Sequence, residues 1–352
     1  MSNTMRAAVL YGTHDIRVET MDVRPPGDGE AVVKVAYCGV CGTDLHIFHG
    51  DEGSAEVTPP IVLGHEMSGI VMETGKGVNT LRPGDHVVVD PNFYCGECYD
   101  CRTGQEHFCS GMKAVGVTQH GGFAEYCTLP AKTAHPVPKE MPLDVAAFAE
   151  PLACCLHGMD LTRVQLGNQV LLIGAGTIGL IMLQLSKLAG ASRLTVIEPD
   201  VSKRVLAESL GADMTFACGA DYMEYASQTS GVRADRVIEC AGRTETVSLA
   251  IRAASKGATV MIFGLTPPQA TVDIQPFEIF KKELHITSSF VNPYTESRAV
   301  ELLSAGKVRV AELIAERVPL ERLAEVLAEP AYRSKTKILV GGMDSLGSSG
   351  SC

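Results

Sequence analysis

Up to Pro151 the chain reads as short, valine-rich runs punctuated by Gly and Pro. Over 30–38 apolar and polar positions alternate, with Val33, Val35 and Tyr37 on one side, which predicts a half-buried strand. Arg82-Pro83-Gly84-Asp85 is a turn feeding a strand at Val87–Val89, and Phe123–Leu129 predicts another. After Pro151 the texture changes. From 168 to 290 brief apolar runs alternate with helical patterns, the signature of a parallel sheet with crossover helices. Strands are expected at Val170–Ile173, Leu194–Glu198, Arg236–Cys240 and Thr259–Phe263, and helices at Thr177–Ala189 and Ser202–Leu210, closed by Gly190 and Gly211. Helical patterns follow at Glu296–Ser304 and Leu320–Ala328, then a last strand at Thr336–Val340. The fold class is α/β, with one β-rich domain surrounding an α/β insert.

The 352 residues suit two domains, and a hydrophobic share of 45% against 20% charged is enough for sizeable cores. A net charge of −11 without a basic block argues against nucleic acid or anionic lipid as a partner. The N-terminal residues lack a signal-peptide core, and no apolar stretch is long enough to span a bilayer. A soluble, cytoplasmic protein is therefore expected, with 347–352 as a flexible tail. In a reducing compartment, twelve cysteines point to metal or catalysis rather than disulfides.

Gly174-Ala175-Gly176-Thr177-Ile178-Gly179 follows an expected strand and opens a helix. The first glycine allows a tight turn, the second lets backbone approach a pyrophosphate, and the third lets helix and strand pack closely. Free N–H groups at the helix start, including those of Thr177 and Ile178, then face the anion. The next strand ends in the acidic Glu198, which suits the ribose hydroxyls of NAD and repels the 2′-phosphate of NADP. Lys203 and Arg204 complicate that choice, since either could reach a phosphate. NAD is the expected cofactor. Cys240 and Gly264 end later strands, at the edge where open α/β sheets place ligands.

Cys95, Cys98, Cys101 and Cys109 form the pattern C-x2-C-x2-C-x7-C. Four thiolates satisfy zinc tetrahedrally and leave no open position, so this site stabilises a loop and does not catalyse. Iron–sulfur is the alternative for the same ligands. Cys41, His65, Glu66 and Glu150 are unremarkable by composition alone.

The run Gly64-His65-Glu66-x-x-Gly69-x5-Gly75-x2-Val78 resembles the signature of zinc-containing medium-chain dehydrogenases/reductases. The Cys41-Gly42-Thr43-Asp44-Leu45-His46 segment, the four-cysteine lobe and the glycine fingerprint fall in that family's order. Glu150-Pro151-Leu152 is similar to the polyol (sorbitol/xylitol-type) and threonine dehydrogenase branch, where classical alcohol dehydrogenases carry a third metal-binding cysteine.

The resemblance implies a GroES-like catalytic domain at 1–155 carrying both zinc sites, a doubly wound Rossmann-type NAD domain at 156–292, and a return to the catalytic domain at 293–346. It implies two zinc ions per subunit. Cys41 and His65 would ligate the catalytic one, with Glu66 and Glu150 competing for the remaining protein position. Thr43 matches a hydroxyl that accepts the substrate's proton, and His46 a residue that passes it to solvent. Asp44 reads as a cap holding the loop. A carboxylate at Glu150 beside zinc suggests a polyhydroxylated substrate. The expected activity is NAD-dependent oxidation of a secondary hydroxyl of a polyol to a ketose. L-threonine 3-dehydrogenase is the alternative within the family, and a non-catalytic dinucleotide-binding protein with structural zinc the alternative outside it. The family's usual homodimer or homotetramer is expected, with Leu284–Ser288 a candidate pairing strand.

Overall fold

A computed structural model describes residues 3–51, 53 and 55–341. The expected tail at 347–352 lies outside them. The chain divides into two compact units, one built from residues up to Ala153 together with those from Pro293 onward, the other from Cys154 to Asn292.

The first unit is mostly sheet. Strand β1 (Thr4–Gly12) pairs antiparallel with β2 (Asp15–Asp22) and with Ile61–Val62. A larger sheet is built around β3 (Glu30–Gly39), which pairs with β4 (Glu66–Thr74) and with β6 (Tyr126–Pro130). Beyond β4 lie β5 (His86–Val89) and β7 (Ala134–Pro136). A strand begins at Tyr126 rather than at Phe123. Residues before it bond instead to β1, through Ala8 N–H to Phe123 O and Glu125 N–H to Arg6 O. Val33 of β3 and Val87 and Val89 of β5 join Leu63, Phe123 and Leu129 in one apolar core. Helix α1 (Gly42–Phe48) lies between β3 and β4 in the chain, and α2 (Ala149–Thr162) begins in this unit, with its residues from Cys154 onward counted in the second.

The second unit is a six-stranded parallel sheet. In chain order its strands are β8 (Gln169–Ile173), β9 (Arg193–Ile197), β10 (Met214–Phe216), β11 (Arg236–Glu239), β12 (Thr259–Ile262) and β13 (His285–Ser288). They lie in the order β10-β9-β8-β11-β12-β13, the doubly wound arrangement whose direction reverses at β8. Leu171, Leu172, Val196, Val237, Ile238 and Val260 are all buried. Near-continuous apolar strands are what a parallel sheet covered on both faces requires. The crossover helices include α3 (Thr177–Leu188), α4 (Val201–Leu210) and α5 (Thr244–Ala253). Asp200 caps α4 by accepting from Ser202 N–H and Lys203 N–H, and Gly211 ends it in the left-handed region at φ 115°.

The chain then returns to the first unit with α6 (Glu296–Ser304), β14 (Ile314–Val318) and β15 (Lys337–Gly341). The expected helix over 320–328 is split into a short 3-10 turn at Leu320–Arg322 and a helix at Leu323–Ala328. Strand β15 pairs with β3, joining Leu339 to Gly39 and Val340 to Cys38. This returning segment thus completes the sheet in which β4 begins at Glu66.

Candidate metal centres and dinucleotide site

The ligand atoms of Cys95, Cys98, Cys101 and Cys109 all lie within 4.8 Å of one another. Cys95 Sγ is 3.5 Å from Cys109 Sγ and 3.9 Å from Cys101 Sγ. Zinc–sulfur bonds of about 2.3 Å in a tetrahedron put sulfurs about 3.8 Å apart, so the residues fit a closed zinc site. The N–H groups of Glu97 and Cys98, each 3.4 Å from Cys95 Sγ, help bring that thiol down to about 6. Burial and the neighbouring sulfurs push Cys101 up to about 12. Four sulfurs with one electron-rich centre among them call for a cation.

A second group gathers at the junction of β3, α1 and β4. Ligand atoms of Cys41, His65 and Glu66 also lie within 4.8 Å of one another. Cys41 immediately precedes α1, and its N–H donates to Asp44 Oδ2 at 2.9 Å. Gly64, at φ 96°, turns the chain so that His65 faces inward; a Cβ there would meet Cys38 Sγ at 2.8 Å. Gly39 makes room for Glu66, whose Oε2 would stand 2.0 Å from a Cβ at that position. His65 Nδ1 is 3.6 Å from Asp44 Oδ1, and neither atom has a hydrogen-bond partner. Burial alone would lower the His65 pKa, yet the Asp44 carboxylate and Cys41 thiol hold it well above its ordinary value. A buried imidazole facing a buried carboxylate marks a place of negative potential. With a thiol, an imidazole and a carboxylate converging there, the donor set fits catalytic zinc with a fourth position open. Asp44 is thus more than a cap: facing Nδ1, it leaves Nε2 of His65 for a metal.

Glu66 also has a partner that the sequence reading missed. Lys337 Nζ lies 2.8 Å from Glu66 Oε1 and 2.6 Å from Oε2, and 3.2 Å from Val40 O. Both side chains are nearly fully buried. A lysine heading the apolar run Lys337-Ile338-Leu339-Val340 was the available signal. Glu150, buried in the first turn of α2, is not part of the tight trio. Its charge is close enough to help raise the Lys337 pKa, after Glu66 and Cys41 have overcome the effect of burial. Thr43 Oγ1 is 3.8 Å from Cys41 Sγ. His46, on the next turn of α1, points Nδ1 toward Asp51 Oδ2 at 3.4 Å.

In the second unit, Gly174 sits at φ 100°, and Gly176 caps α3. A Cβ on Gly179 would come within 2.0 Å of Gly174 O, so only glycine allows helix and turn to close. Thr177 and Ile178 open the helix. Glu198 is buried just past β9. Its Oε2 accepts from Ala175 N–H at 2.8 Å and its Oε1 from Asp200 N–H at 3.0 Å. The carboxylate therefore also ties the fingerprint loop to the next one. Arg204 folds back on the backbone, donating to Glu198 O at 2.7 Å and Pro199 O at 2.8 Å, while Lys203 N–H serves the Asp200 cap. Cys240 follows β11 with its thiol pushed well up by burial, and its N–H donates to Ile173 O. Gly264 N–H donates to Glu239 O. This arrangement suits a pyrophosphate at the helix start. Glu239 was not anticipated, although an acid ending the apolar strand Val237-Ile238-Glu239 is legible as an anomaly.

Two descriptions match the chain: Alcohol dehydrogenase GroES-like domain over residues 27–139, and Zinc-binding dehydrogenase over 177–305. D-arabinitol dehydrogenase 1 of Uromyces fabae is 33% identical over 96% of this chain and 97% of its own length. L-threonine 3-dehydrogenase of Thermococcus kodakarensis is 34% identical over 89% of this chain and 90% of its own. A zinc-binding dehydrogenase from Sinorhizobium meliloti, solved bound to NADP, superposes with a TM-score of 0.91 at 38% identity, covering 96% of this chain and 99% of that one. With two zinc-fitting donor sets and a doubly wound dinucleotide unit already in place, the chain belongs to the zinc-containing medium-chain dehydrogenase/reductase family. Within that family it is a zinc-dependent dehydrogenase of the alcohol and polyol class, combining a GroES-like fold with a Rossmann-type one.

Proposed function

We propose that the protein oxidises a secondary hydroxyl of a sugar alcohol to a ketose, with NAD as hydride acceptor. The observation that carries this is the convergence of Cys41, His65 and Glu66 beside the Thr43 hydroxyl. Zinc would supply Lewis acidity toward a substrate hydroxyl, and NAD a two-electron acceptor. The chain's own groups do the rest. Asp44 holds His65 in orientation. Thr43 Oγ1 takes the substrate's proton, and His46 passes it outward past Asp51. Glu66 is neutralised by Lys337, and Glu150 offers acceptor oxygens to neighbouring substrate hydroxyls. Relatives acting on D-arabinitol and D-altritol support a polyol.

Glu198 supports NAD over NADP, because its charge disfavours a 2′-phosphate. Each chain would hold two zinc ions. Homodimers would form through β13, an edge strand with exposed residues, and the site of action would be the cytoplasm. No helix among the described residues is long and apolar enough to cross a membrane.

A screen of tetritols, pentitols, hexitols and L-threonine, read by NADH absorbance and repeated with NADP, tests the reading. Turnover of threonine alone favours the second reading, which the Glu150-Pro151-Leu152 segment and the threonine dehydrogenase relatives support. One zinc per chain and no turnover would leave a non-catalytic dinucleotide-binding protein. Intact polyol turnover in Glu150→Ala would remove the role given to that carboxylate.

A further inference from the structure

Glu239, at the carboxyl end of β11, is fully buried. Its Oε1 accepts three hydrogen bonds, from Ala241 N–H at 2.8 Å, Gly242 N–H at 2.9 Å and the Thr246 hydroxyl at 2.7 Å. Its Oε2 is buried as well and meets no donor. Half of this carboxylate is therefore fully satisfied and half is bare. A bare, buried acceptor is costly and is a reason to look for a function at that position.

The place of the group narrows that function. Strand β11 is the first strand beyond the reversal in strand order, so it opens the half of the sheet opposite the fingerprint and Glu198. If Glu198 marks the adenosine ribose, the β11 half faces the nicotinamide nucleotide. Three loops of the carboxyl edge meet around the carboxylate. Gly242 sits at φ 66° in the turn that Oε1 holds. A Cβ on Gly264 would stand 2.7 Å from Oε2 and 2.2 Å from Gly242 N. A Cβ on Gly174 would be 3.3 Å from the carbonyl carbon of Cys240. The carboxylate thus underlies the β11 turn where it packs against the β12 end and the fingerprint loop.

The two redox forms of the cofactor differ there in one respect: the oxidised nicotinamide ring carries a positive charge, and the reduced ring does not. A buried anion on that side interacts with one form and barely with the other, in surroundings where water screens little. We infer that Glu239 biases dinucleotide binding toward the oxidised form, through its buried charge and the Ala241–Gly242 turn it holds. It is a positioning residue and touches no reacting atom. This rests on the reading that the second unit binds NAD(H).

Calorimetric titration of the zinc-loaded full chain with NAD+ and with NADH gives two dissociation constants. In Glu239→Gln, which keeps shape but removes charge, the ratio Kd(NADH)/Kd(NAD+) should fall about fivefold or more. Thr246→Val removes a hydrogen bond without changing charge, so both constants should move together and the ratio hold. Equal shifts of both constants in Glu239→Gln, as a merely structural role would give, overturn the inference. If that variant does not fold, Glu239→Asp keeps the charge on a shorter arm. Its ratio should stay within about twofold of wild type while both constants rise, and a collapsed ratio there overturns the inference equally. Wild-type protein binding neither dinucleotide overturns the cofactor reading and this inference with it, and is told apart because it needs no variant.

Discussion

The ammonium group of Lys337 lies 2.6 Å from Oε2 of Glu66, and both side chains are sealed from water. With Val40 O as a further acceptor, the ammonium spends its hydrogen-bonding capacity inside the protein. A charge pair of this kind adds little net stability when intact, but removing one partner strands the other. Lys337→Met should therefore cost about 3–5 kcal/mol in chemical denaturation. It should also alter zinc retention, measured by chelator competition, because Glu66 loses the cation that neutralises it.

Cys98→Ser tests the four-sulfur lobe. Bound zinc, measured by elemental analysis, should fall by about one ion per chain. The lobe should become more susceptible to proteolysis near Tyr99 and Phe108, both exposed aromatics. The second unit should keep its affinity for dinucleotide, since none of its residues belongs to the lobe.

Thr43→Val keeps the shape of the side chain and removes its hydroxyl. Loss of a positioned proton acceptor typically costs a factor of about 10²–10⁴, so kcat should fall by that order. Zinc content should stay unchanged, because Thr43 lies beside Cys41 without being among the grouped ligands. A drop in zinc would mean the hydroxyl supports the metal site instead.

Glu198→Gln removes the charge but, with a single acceptor oxygen, keeps only one of the two backbone hydrogen bonds that the carboxylate accepts from Ala175 and Asp200. The ratio of kcat/KM for NADP over NAD should rise on the order of tenfold, read by the absorbance of the reduced product. An unchanged ratio would show that Arg204 and Lys203 set the preference.

Arg322 bridges Glu325, at 2.9 and 3.0 Å, and Glu316, at 2.8 Å. Hydrogen bonds from Arg322 and then from Tyr332 hold the Glu325 carboxyl down to about 2. Because the folded pKa lies below the unfolded one of about 4.3, the contribution is complete above that value and is lost as pH falls toward 2. An NMR titration of the Glu325 carboxyl carbon should show a midpoint near 2. In Arg322→Ala it should move back toward the ordinary range.

The strands and helices of the second unit are legible because each is a buried apolar run or an amphipathic turn bounded by Gly or Asp. Gly211 marks the end of one helix to the residue, while its start at Val201, behind the Asp200 cap, lies one residue before the expected Ser202. The two groups of donor atoms that the fold gathers are legible too, the sulfurs through spacing and the Cys41/His65 pair only through resemblance. What hid were the supporting charges. Lys337 is far from Glu66 in the chain, and its partner is set by the β15–β3 register, which no local pattern encodes. Glu239 stands out as an acid ending an apolar strand, but the unequal partnering of its two oxygens is set by the turn and loop that follow and by no local pattern. Glu150 matched a motif, but its stand-off from the trio is a matter of where α2 begins.

Because β15 follows the whole of the second unit in the chain and pairs with β3, the sheet of the first unit stays incomplete on the ribosome until the second unit has been synthesised. The inserted unit, being contiguous, is free to mature earlier. The cation that balances Glu66 arrives with that strand, so Glu66 stays without its buried partner until the second unit has been made.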